Sequence, residues 1–138
     1  MTSLFLTYEE VLEIHADQIA RYGGALGIRD DGLLRSALAQ PEAAFGDDLL
    51  HPSLHAQAGA YLYHLVKNHP FVDGNKRAGT ACFLVFLEIN SCELALWLDT
   101  LNEATGGTPL EEVVLGVAAG GITKDELIAF LKEHIRVL

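Results

Sequence analysis

The sequence predicts an all-α single domain, built as a helical bundle around a buried central helix. Three observations predict it. Helix-start signals of the form Thr-x-x-Glu recur along the chain, at Thr7 with Glu10, Thr108 with Glu111, and Thr123 with Glu126. The stretch Ala78 to Ile89 is apolar on every side, which is the pattern of a helix packed from all directions. No alternating run is long enough to predict a sheet.

Taken in order, the first capping box predicts a helix over residues 8–22. Asp30 and Asp31 can cap a short helix that stops before Pro41, because the residue before a proline is pushed out of helical geometry. Ser53 can cap the next, which runs to about Asn68 with Leu54, Ala58, Tyr61, Leu62 and Leu65 at helical spacing. The buried helix follows, through Ala81, Cys82, Phe83, Leu84, Val85, Phe86 and Leu87. Glu93 to Trp97 reads as a short extended piece, with Trp97 in the core. Pro109 sits at the first helical position after Thr108, where a missing N–H has no consequence, and predicts a helix over 109–119. The third box predicts a last helix over 124–136. No repeat, low-complexity tract or linker divides residues 1–138, so one domain is expected.

Composition bounds the function. With 138 residues and half of them hydrophobic, the chain can bury a proper core. A net charge of -10 and a pI near 4.8 argue against nucleic acid as a direct partner, since phosphate backbones demand a basic surface. Cys82 lies inside the apolar helix and Cys92 just beyond it, a spacing that suggests no disulfide framework and fits a reducing compartment. No basic-then-apolar leader and no apolar run of membrane-spanning length is present, so the expected location is the cytoplasm, with no membrane partner.

The chemistry concentrates in His69-Pro70-Phe71-Val72-Asp73-Gly74-Asn75-Lys76-Arg77, immediately before the buried helix. A helix start offers unpaired N–H groups and the positive end of a dipole, which together attract anions. Gly74 permits close backbone approach to a phosphate. Lys76 contributes a point charge and Arg77 a planar fork suited to phosphate oxygens. Asp73 can hold magnesium, which takes one or two carboxylates together with substrate phosphates. His69 is the side chain suited to removing a proton near neutral pH. Phe71, the apolar insert, is expected to anchor the loop, and Phe71→Ala to cost about 3 kcal/mol if the ring is buried.

This stretch resembles the signature of the Fic/Doc family, His-x-Phe-x-Asp/Glu-Gly/Ala-Asn-Gly/Lys-Arg. Gly27-Ile28-Arg29-Asp30-Asp31-Gly32-Leu33-Leu34, with Ser36-Ala37-Leu38 and Pro41, resembles a segment of the death-on-curing (Doc) branch. Phe86 to Asn90 and Ala118 to Thr123 are similar as well, so the resemblance covers most of the chain. It implies His69 as a base acting on a hydroxyl of a target protein and Asp73 as the magnesium ligand. It implies Gly74, Asn75, Lys76 and Arg77 as the phosphate cradle, to which Lys67 could add a contact.

Two departures from the broader pattern bear on the reaction. AMP-transferring members have Gly where this chain has Lys76, and a second Arg where it has Thr80. The Lys is found in the Doc branch, whose members resemble kinases that pass the terminal phosphate of ATP to translation elongation factor Tu. The resemblance therefore implies a Doc-like toxin using ATP and Mg2+ to phosphorylate a Thr of that factor and stop translation. The alternatives are an AMP or other nucleotide transferase, and a catalytically silent binding module. The family's self-inhibitory Ser/Thr-x-x-x-Glu-Gly/Asn motif has no good copy here, which implies a cognate antitoxin whose segment folds as a helix in a groove of the domain.

Other residues carry less. His51 and His55 are four apart but straddle Pro52 without a zinc motif around them. His15, His64 and His134 read as interface or surface histidines, and Asp30 and Asp31 as caps.

Overall fold

A computed structural model describes residues 3–138. Six α-helices carry the fold: α1 (Tyr8–Tyr22), α2 (Asp31–Ala39), α3 (Leu54–Asn68), α4 (Asn75–Ile89), α5 (Pro109–Ala118) and α6 (Lys124–Lys132). No helix among the described residues is long and apolar enough to cross a membrane.

The predicted caps account for most helix starts. Thr7 and Thr123 form full reciprocal boxes with Glu10 and Glu126. Asp30 accepts from the Leu33 amide, and Ser53 from that of Ala56. Asp31 is instead the first residue of α2, where its carboxylate takes bonds from the Tyr8 hydroxyl and Arg35. Thr108 makes only half of its box, accepting from the Glu111 amide at 3.1 Å without a return bond.

The bundle packs around α3 and the helix that follows it, α4. α3 contacts α2, α4, α5 and α6, while α4 contacts α1, α3 and α5. Ala56, Ala58, Gly59 and Ala60 give α3 a slim, fully packed waist. α4 lies close upon it at Gly79, where an added Cβ would stand 3.0 Å from Val66 Cγ2. Tyr61, Phe83 and Phe86 are buried between the elements, and the Tyr61 hydroxyl oxygen accepts from the Leu6 amide at 2.9 Å. Cys82 and Cys92 are both free and buried, and burial pushes the Cys82 thiol up to about 12.

Four expectations are corrected. α4 begins at Asn75, so Lys76 and Arg77 belong to its first turn. It is not buried all round, since Thr80, Ala81 and Leu84 open onto a cavity. The last helix stops at Lys132, and Ile135–Val137 becomes a strand, β4, pairing antiparallel with β3 (Cys92–Leu94). Ile135 and Val137 are stiff at Cβ and favour that extended geometry, and Arg136 pairs with Glu93 across the ladder. Trp97 lies on a short 3-10 turn (Leu96–Asp99) and is 56% exposed, with its edge toward the His134 ring. Two-residue strands β1 (Ala44–Phe45) and β2 (Asp48–Leu49) form a small exposed hairpin between α2 and α3.

Candidate active site

The loop between α3 and α4 is held by its own residues and by the chain that joins α1 to α2. Asn75 closes it from within: its side chain accepts from the Phe71 amide at 2.9 Å and donates to the Phe71 carbonyl at 3.0 Å. The Phe71 ring is 1% exposed and stacks flat on the His15 imidazole, with centroids 3.7 Å apart and planes 6° from parallel. His15 Nε2 bonds the Asp73 carbonyl at 2.8 Å, which requires the proton on that nitrogen. The predicted anchor is therefore present, with a partner from α1.

Residues 27–30 run along the loop as a short strap. Val72 donates to the Gly27 carbonyl at 3.0 Å, and the amides of Arg29 and Asp30 both donate to Pro70. Ile28 and Phe71 form an isolated antiparallel bridge. The Arg29 guanidinium then reaches the end of α3, bonding the carbonyls of His69 at 2.6 Å and Asn68 at 3.0 Å.

Asp73 is exposed, yet each carboxylate oxygen accepts one backbone N–H, Oδ1 from Gly74 at 3.1 Å and Oδ2 from Ala25 at 3.2 Å. Gly74 is the N-cap of α4 at φ 74°, a left-handed geometry natural to glycine. Without a side chain it leaves α4 without a side-chain cap, unlike the other five α-helices. The amides of Asn75, Lys76 and Arg77 have no carbonyl one turn earlier in the helix to bond. Together with the positive end of the helix dipole they can receive an anion.

These groups converge on one cavity of about 430 Å³, lined by Lys67, His69, Asp73, Gly74, Asn75, Lys76 and Arg77 along with Val66, Val72 and Ala118. Every residue the sequence nominated lines it. The Asn75 side chain, however, is committed to the loop, so what it offers an anion is its backbone N–H. Arg77 leans toward α1, donating to the Gly23 carbonyl at 3.2 Å and standing over the Tyr22 ring. A second cavity of about 550 Å³ shares Lys76 and Arg77 and extends past Gln18, Thr80, Leu84, Glu111 and Leu115.

The donor set also says what kind of metal fits. Among the described residues, no group of three His, Cys, Asp or Glu side chains could hold an ion unaided. Asp73 is the one carboxylate in the 430 Å³ cavity and keeps lone pairs beyond its two amide bonds. That suits a hard ion sharing its shell with phosphate oxygens, which is how magnesium is usually held.

Two contributors escaped the sequence. His15, read as an interface or surface histidine, is 3% exposed and bonded into the loop. Arg29 lies in a segment whose aspartates were explained by capping, and its reach to His69 depends on the strap.

A family model described as Fic/DOC family matches residues 5–87, a span that contains α1 to α3, the loop and most of α4. The chain belongs to the Fic/DOC family. Among Fic/DOC relatives, it is 45% identical over 96 residues to "Toxin Doc" of Mycolicibacterium smegmatis, covering 69% of this chain and 71% of that protein. It is 29% identical over 86 residues to "Protein kinase doc" of Escherichia phage P1, covering 62% and 68%. The His69 to Arg77 loop lies within the matched span.

Proposed function

We propose that this Fic/DOC protein is a Doc-like toxin kinase that transfers the terminal phosphate of ATP to a Thr of translation elongation factor Tu. One observation carries the reading: a histidine, a carboxylate, three cations and an uncapped helix start share a single cavity. The names of the two relatives, one a toxin and one a protein kinase, support it.

In this reading His69 takes the proton of the attacking hydroxyl. The new bond forms between that oxygen and the terminal phosphorus as the bond to the bridging oxygen breaks, and ADP leaves. The amides of Asn75, Lys76 and Arg77 and the charges of Lys67, Lys76 and Arg77 stabilise the phosphate oxygens, which is most of what phosphoryl transfer requires. Asp73 would hold Mg2+, which neutralises phosphate charge when bound. Lys76 occupies the place of a small residue in AMP-transferring relatives and favours transfer of the terminal group over the nucleotide.

Control in trans completes the proposal. The 550 Å³ cavity runs between α1, α4 and α5, shares Lys76 and Arg77 with the phosphate site, and has Leu84, Val114 and Leu115 on its apolar side. An antitoxin helix laid there would cover the nucleotide. Action on elongation factor Tu places the protein in the cytoplasm.

The test is intact-mass analysis of elongation factor Tu after incubation with the protein, ATP and magnesium. Gain of one phosphoryl group, lost with His69→Ala while ATP still binds, supports the kinase. Gain of an adenylyl group overturns it in favour of nucleotide transfer, and no gain removes this target.

A further inference from the structure

His69 is an unusual place for a catalytic base. It is the C-cap of α3 at φ 50° and ψ 52°, and the other non-glycine residue at positive φ among those described is Ser91. A side chain in the left-handed region costs about 1–2 kcal/mol and persists only where surrounding contacts impose it. Helices that end this way usually use glycine and satisfy their last carbonyls with following backbone amides. α3 has a histidine there and, among the described residues, no backbone amide bonded back into its last turn from the cap.

Arg29 supplies what is missing. Its Nε donates to the His69 carbonyl at 2.6 Å and its Nη2 to the Asn68 carbonyl at 3.0 Å, so one guanidinium spans two consecutive peptide groups. A planar fork meets two carbonyls at a fixed spacing, whereas an ammonium presents rotatable donors on a flexible stem and holds such a pair less rigidly. The root of the side chain is anchored as well, because the Arg29 amide is itself bonded to Pro70 at 2.7 Å, one residue beyond the base. Asn68 is tied in turn to the Leu33 carbonyl of α2 through its side chain at 3.0 Å. Among the described residues Arg29 pairs with no carboxylate, and it does not line the phosphate cavity.

We infer that Arg29 is a positioning residue for His69: it holds the left-handed turn that aims the imidazole into the phosphate cavity. The inference rests on the proposed role of His69 as base, and it adds a residue from outside the signature loop to that site. Arg29 is exposed, so its removal leaves the apolar core untouched and acts on the turn.

The experiment uses full-length Arg29→Gln and Arg29→Lys beside the wild type and His69→Ala. The first readout is the sign of the His69 backbone φ, from the strength of its intraresidue amide–Hα NOE in NMR spectra without nucleotide. The second is kcat, KM for ATP and the pH–rate profile in the elongation factor Tu assay. The inference expects His69 to leave positive φ in Arg29→Gln, with kcat lower by about 100-fold and KM for ATP within a few-fold of wild type. Arg29→Lys retains the charge and should fall between the two, which also covers a glutamine variant that fails to fold. Retention of positive φ in both variants overturns the inference whatever the activity does. Equal losses in thermal stability, kcat and ATP affinity overturn it too, as those mark a plain helix cap. A wild type that transfers nothing refutes the kinase reading, and the His69 backbone geometry then judges Arg29 alone.

Discussion

Replacing Phe71 by alanine tests the claim that the loop is pinned by its one buried ring. The ring is 1% exposed and has one face against His15. Truncating a buried phenylalanine costs about 3–5 kcal/mol, and the lost ring–ring contact contributes about 0.5–1.5 kcal/mol of such a total. An expected loss of about 4 kcal/mol follows, or roughly 15 °C in Tm for a chain of this size. Phe71→Leu keeps most of the volume and should lose about 1.5 kcal/mol. Equilibrium urea unfolding followed by circular dichroism measures both. His15→Ala, combined with Phe71→Ala in a double-mutant cycle, should show coupling of about 1 kcal/mol between the two rings. A Phe71→Ala loss below about 1.5 kcal/mol, or no coupling to His15, would refute the reasoning, because the loop would then be shaped by its backbone bonds alone.

Four further outcomes are expected. Asp73→Asn keeps a similar shape but loses the charge, and should raise the magnesium concentration for half-maximal activity at least tenfold, read from a metal titration of the transfer assay. His64 is held down to about 4, first by burial and then by Lys124 and His51. The unfolded chain, at about 6.5, therefore takes up that proton first as pH falls; stability is full above about pH 6.5 and about 2–3 kcal/mol is lost on the way to pH 4, a slope between pH 7 and 5 that His64→Leu should flatten in urea titrations. Gly79→Leu would drive a side chain into Val66 where α4 meets α3, and should lower stability by about 1–3 kcal/mol in thermal scans. Thr123→Ala removes the first cap of α6 and should cost about 1 kcal/mol by the same measurement.

The helices were legible because their starts are written locally: Thr7, Asp30, Ser53 and Thr123 each announce a cap within three residues. The ends were less so. β4 became a strand because β3 was available to pair with it, a partnership between residues some forty positions apart that no local window contains. The lining of the candidate site was readable for the same local reason, since His69 to Arg77 is contiguous. Its geometry was not. His15 is set apart from other helix histidines by the Phe71 ring stacked on it, and Asn75 spends its side chain on closing the loop, contacts that the residue pattern alone does not show.

The contacts that shape the loop join residues 40 and 58 positions apart, Arg29 to His69 and His15 to Asp73. Each requires closing a long stretch of chain before it returns any stabilisation, and such closures come late relative to local helix formation. A chain with α3 and α4 formed but α1 undocked would keep the Asn75 closure of the loop and lack the His15 contacts to Phe71 and Asp73. Competence at the loop is then tied to completion of the whole domain. A nascent or partly unfolded copy should be inert, and activity in a mutant series should follow the docking of α1 more closely than the helical content of the chain.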